Sequence, residues 1–101
     1  MRIEILDQAT EDLIEGFWFY ETQAAGLGSY FLTSLYADIE SLHIYAGIHP
    51  KRYKRYHRLL AHRFPFAVFY TVLEDSIFIH AVLDCRRNPA WMRERLKAQN
   101  S

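Results

Sequence analysis

The chain has 101 residues, half of them hydrophobic and 16% aromatic: enough apolar surface for one buried core, and too little length for two domains. Only seven residues are Gly or Pro and Cys85 is the sole cysteine, which sets aside both a disordered linker protein and a disulfide-stapled secreted fold. The net charge of zero hides a segregation, since residues 1–50 hold one base and eight acids (−7) and residues 51–101 hold eleven bases and four acids (+7).

Such asymmetry fits either a face for an anionic partner or two solvated surfaces. The opening MRIEILDQATEDL meets an acid within four residues and lacks the apolar stretch of a signal peptide. No window approaches the ~18 apolar residues of a membrane span. The expectation is a cytoplasmic protein with no membrane partner.

Residues 2–6 alternate with Ile3 and Ile5 on one side, the pattern of a short strand. Asp7 is a candidate N-cap for a first helix, in which Leu13, Phe17, Tyr20 and Ala24 form one apolar stripe and Gly26 is the stop. Gly28 and Ser29 open a second helix carried by Leu32, Leu35, Ile39, Leu42 and Ala46, closed by Gly47 and Pro50. So short a link predicts an antiparallel helical hairpin.

A basic, aromatic connector follows, with Lys51, Arg52, Lys54, Arg55, Arg58 and Arg63 interleaved with Tyr53 and Tyr56. It reads either as a nucleic-acid surface or as a solvated connector whose tyrosines pack on the second helix. A strand is expected around 56–62, then a turn at Arg63-Phe64-Pro65. Residues 66–73 and 76–83 follow as a β-hairpin rich in β-branched and aromatic residues, and a last helix runs from Trp91 to about Gln99. Both hairpin strands are apolar on both faces, so the sheet needs cover on both sides. The fold class is α+β: a single domain over residues 1–101, in the order β-α-α-β-β-β-α, with a helical hairpin on a small antiparallel sheet.

Several words in this order carry a resemblance: Tyr20-Glu21, Gly26-Leu27-Gly28, Phe31, Pro50, Arg63-Phe64-Pro65-Phe66, Val68-Phe69-Tyr70, Ala81-Val82-Leu83, Arg86-Arg87-Asn88-Pro89, Trp91 and Arg95. Over residues 2–96 the chain resembles the RelE/ParE superfamily of toxins, the toxic halves of type II toxin–antitoxin systems. The resemblance implies a cognate antitoxin as partner and no cofactor. It implies DNA gyrase as target for the ParE-like, plasmid-stabilisation branch, or the ribosome and mRNA for the RelE-like endonucleases.

The chain departs from the cleaving members. The position after the aromatic that starts the strand at 66 usually carries an arginine and is Ala67 here, and Asp84 stands where some members end the last strand with histidine. Arg86 or Arg87 matches an arginine beyond that strand, and Trp91 is nearest to a C-terminal tyrosine of the family. Cleavage by 2′-OH attack needs a base, an acid and cations on the developing phosphorane. His57 and His62 are the better-placed titrators, whereas Phe78 and Val82 as same-face neighbours make His80 a core or partner-facing residue. No catalytic residue is assigned. The departures favour the ParE-like branch or an inactive member that only binds its antitoxin. Candidate target contacts are Arg58, Arg63, Arg86, Arg87, Trp91 and Arg95, and candidate antitoxin contacts are Phe66, Val68, Tyr70 and His80. His57 and His62 lie five apart and Cys85 stands isolated, so no metal site is read.

Overall fold

The structure is a computed structural model that describes residues 1–53 and 55–98, so Lys54 and Gln99 lie outside the described residues. The elements run β1 (Arg2–Ile5), α1 (Asp7–Glu21), α2 (Leu27–Glu40), α3 (Leu42–Tyr45), β2 (Lys51–Arg52), β3 (Tyr56–Leu60), β4 (Phe66–Leu73), β5 (Ser76–Asp84) and α4 (Pro89–Ala98). The strands form one five-stranded sheet in the order β1-β5-β4-β3-β2. β2, β3, β4 and β5 are joined antiparallel, but β1 lies parallel to β5, with Ile3 opposite Ile77 and Ile5 opposite Ile79. The antiparallel sheet expected from sequence holds from β2 to β5 and gains a parallel strand at its β1 edge: α1 and α2 intervene between β1 and the hairpin, and a long connection lets strands pair in parallel.

Each face of the sheet has its own core. On one, Leu13, Phe31, Leu35 and Ile39 of the helical hairpin bury Leu59, Val68, Tyr70, Ile77 and Ile79. On the other, α4 lays Leu96, with Trp91 and Met92 at its margin, over Tyr56, Ala67, Phe69, Ala81 and Leu83. The two-sided apolar pattern of β4 and β5 is thus satisfied within the chain. Tyr56 donates its hydroxyl to the Leu96 carbonyl at 3.1 Å, tying α4 to the sheet. Tyr53 and Tyr56 pack on this face and not on the second helix as the connector reading had it.

The hairpin's close approach explains its small residues. A Cβ on Gly16 would stand 2.5 Å from the Phe31 ring, and one on Gly28 would stand 2.6 Å from the Phe17 carbonyl oxygen. Gly26 adopts a φ of 90°, open to glycine at little cost. Glu21 reaches back over the turn, its carboxylate accepting from the amides of Gly26 and Gly28 at 2.9–3.1 Å. That carboxylate supplies the cap α2 lacks at its own N-cap position. Leu6, not Asp7, is the N-cap of α1. The second helix also ends earlier than its apolar spacing suggests: Ser41 donates to the Asp38 carbonyl at 2.6 Å and divides α2 from α3.

Candidate functional site

At the C-terminal end of β5 the chain leaves the sheet through Asp84, turns and enters α4. Between this end, α1 and α4 lies a cleft of about 190 Å³ lined by Asp12, Glu15, Phe19, Phe66, Asp84, Arg87, Trp91 and Arg95 among others. It gathers four of the candidate contacts, Phe66, Arg87, Trp91 and Arg95, with Arg86 two residues beyond Asp84.

Two ion pairs frame it. Asp12, buried on α1, takes a bidentate pair from Arg95 of α4 at 2.7 and 2.8 Å and also accepts the Val82 amide at 3.0 Å. One carboxylate therefore links α1, β5 and α4, and it holds the Arg95 guanidinium above its ordinary pKa. Asp84 pairs with Arg86 through two bonds of 2.7 and 2.9 Å, which keeps the Asp84 carboxyl below the usual carboxylate range. Arg87 makes no ion pair among the described residues; its guanidinium sits 3.8 Å from the centre of the Trp91 ring. That stacking presents a cation with its N–H edge available.

The other candidates are dispersed. Arg63 lies at the β3–β4 turn, donating to the Tyr30 hydroxyl at 3.0 Å, near the exposed His62 that pairs with buried Asp38. Arg58 is half-buried on the α4 face, close enough to Cys85 to influence its thiol, which burial pushes up. Phe66, Val68 and Tyr70 are core residues beneath the helical hairpin, at most 7% exposed. As antitoxin contacts Val68 and Tyr70 are corrected, because alternate positions of β4 carry them onto the face that α1 and α2 already cover, whereas Phe66 at the strand's start also lines the cleft. His80 is buried on the opposite face, 2.8 Å from the Thr71 hydroxyl and edge-on to Tyr56. A bulge between Phe69 and Tyr70 shifts the pairing around His80, so Val82 falls on the helical-hairpin side and is not its same-face neighbour.

His57 stands apart from the arginines at the end of β5. His57 pairs across β3–β4 with Tyr70, which opposes Ile79, five residues or ~17 Å along β5 from Asp84. There His57 stacks on the Tyr70 ring and donates Nδ1–H to the His49 carbonyl at 2.8 Å. The Tyr70 hydroxyl accepts from the Gly47 amide and lies 2.6 Å from His49 Nδ1, which fixes the loop after α3. Ala67 is 1% exposed beneath Leu96, so an arginine there would have to displace α4. Among the described residues no group of three His, Cys, Asp or Glu side chains is placed to hold a metal ion, and no helix is long and apolar enough to cross a membrane.

This fold is shared with a chain of the chromosomal ParDE TA system from P. aeruginosa. The two superpose with a TM-score of 0.72 over 81% of this chain and 92% of that one, at 18% identity. No protein-family model and no curated protein matches the sequence. At that identity the likeness is one of fold alone. Asp12, which joins three elements at the cleft, was not singled out in the sequence, whereas Glu21, which closes the turn, was singled out only beside Tyr20 as part of the resemblance. Asp12 had one signal available, an acid one residue before core Leu13 and hence on the edge of the α1 apolar stripe.

Proposed function

We propose that the chain is the toxin component of a type II toxin–antitoxin pair, ParE-like, which inhibits its target by binding and is neutralised by a cognate antitoxin. The carrying observation is the ParDE architecture over nine-tenths of the neighbour's length. The arrangement of arginines then favours binding over cleavage. Arg86 is exposed and Arg87 is stacked on Trp91, while His57 lies five residues along β5 from this end of the sheet, so cations are present there without that titrator. The loss of one transition-state donor typically costs about 10²–10³ in rate, and here Ala67 occupies that donor's position under α4. DNA gyrase is the target this reading names.

Induction of the chain in a bacterial host tests the reading. Growth arrest with a DNA-damage response and intact mRNA is expected, relieved when the antitoxin is co-expressed. Charge reversal of both Arg86 and Arg87 should abolish the arrest and leave thermal unfolding nearly unchanged, since neither contributes a buried ion pair. Codon-dependent mRNA cuts that vanish on Arg86→Ala would instead establish an endonuclease, and a chain without any effect on growth would be an antitoxin binder only.

A further inference from the structure

The cleft between α1 and α4 contains an open stretch of sheet edge. β1 pairs with β5 only from Ser76 to Ile79, after which the chain turns into α1. Beyond the bulge, the Val82 amide points away from β4, because it donates to Asp12 on α1. Two residues further on, the Asp84 amide points the same way by the alternation of a strand. The Asp84 carbonyl is taken by the Arg87 amide at 3.1 Å, which leaves the Val82 carbonyl and the Asp84 amide facing the cleft. An acceptor at one residue and a donor two residues later are the two groups that a single residue of a parallel strand engages, as β1 does farther along.

We propose that this cleft is the docking site for an extended, acidic segment of a partner protein. In that pose one residue of the segment pairs with Val82 and Asp84, a large apolar side chain enters between Phe19, Phe66 and Trp91, and a neighbouring carboxylate rests on Arg87. The proposal rests on the reading that the chain has a protein partner, and it names where and with what chemistry that partner binds. Size argues for an extended segment: about 190 Å³ admits one or two side chains, whereas a helix is about 10 Å across. Charge argues for an acid. Asp12 and Asp84 are already neutralised by Arg95 and Arg86, so the cation left to a ligand is Arg87, held in place by its stacking on Trp91. Glu15 on the α1 wall disfavours acids on that side and so orients the segment with its carboxylate toward α4. Phe19, half exposed on α1, offers apolar surface to the cleft.

Selection of a displayed library of random twelve-residue peptides on the full chain tests the site. Peptides carrying Asp or Glu within two residues of a large apolar residue are expected to be enriched, and Arg87→Glu should weaken them by roughly tenfold or more. The same selection on the Arg87→Glu chain should enrich Lys or Arg at the acidic position, a reversal that unfolding cannot mimic. Bound peptide should slow hydrogen exchange of the Asp84 amide, and Leu73→Asp at the far end of the sheet should leave binding unchanged. No enrichment, or enriched peptides indifferent to Arg87→Glu, would overturn the docking site. Growth arrest is read in a separate experiment, so the toxin reading and the docking site can fail independently.

Discussion

A single buried carboxylate, that of Asp12, ties three elements of this fold together. Asp12 is 6% exposed at its side chain and serves three elements at once, through Arg95 and the Val82 amide. Asp12→Ala would leave a guanidinium and a strand amide without their partner in a poorly hydrated place. Removing one member of a buried pair costs 3–5 kcal/mol when both are fully enclosed; Arg95 retains some exposure, so about 2–4 kcal/mol is expected here. That is a large share of a stability of roughly 5–15 kcal/mol. Urea unfolding should show the loss as a lower midpoint at unchanged slope, and Asp12→Asn, which still accepts from Val82, should lose less. In the sequence only its place beside core Leu13 set Asp12 apart from Glu11 and Glu15, because its role is conferred by a residue 83 positions away. Tyr20, Gly28, Phe31 and Phe66 were legible as a set, and their roles proved local and geometric. Tyr20 and Phe31 stack 5.2 Å apart, Phe31 and Phe66 lie 4.9 Å apart, and Gly28 admits the Phe17 backbone.

At the scale of elements, the strands and the helical hairpin follow from periodicity, since α1, α2, β4 and β5 each carry enough apolar residues to set a phase. The features that escaped depend on partners distant in sequence. β2 has two residues and exists by pairing with β3. β1 is parallel because β5 offers it an edge, and the division of α2 from α3 depends on one serine hydroxyl. α4 has the weakest intrinsic case, a polar helix whose buried anchor is Leu96. Its attachment therefore relies on few contacts, and the Tyr56 hydroxyl bond to the Leu96 carbonyl is one that can be removed cleanly. Tyr56→Phe keeps the ring in place and should cost about 1 kcal/mol. The loss should be concentrated in α4, visible as faster amide exchange at Leu96 and its neighbours while β4 and β5 exchange as before. Uniformly faster exchange across the sheet would show instead that α4 and the sheet unfold as one unit.

The whole molecule carries its charge asymmetry into three dimensions, with acids on α1 and α2 and bases on β2, β3 and the segment from Arg86 onward. Two histidines whose pKa the fold lowers contribute to its response to pH. Burial lowers the pKa of His49, with the nearby His57 adding to the effect, and burial lowers that of His80, with Arg55 adding to it. His49 faces Tyr70 and His57, and His80 faces Thr71 and Tyr56. In the unfolded chain both histidines titrate near their ordinary value of about 6.5. The unfolded state then takes up protons first as pH falls, and stability declines from about pH 6.5 down to the folded-state pKa values. Above that window the contribution of both neutral rings is fully present. Asp84 cannot produce the same decline, because a carboxyl lowered by Arg86 loses its contribution only below the ordinary aspartate range, near pH 4. Thermal unfolding followed between pH 7.5 and 5 should accordingly show a falling midpoint, and the double variant His49→Asn, His80→Asn should flatten the curve over that interval. A midpoint that stays level or rises in the unmodified chain as pH drops from 7 to 5 would mean that both rings accept a proton in the folded state.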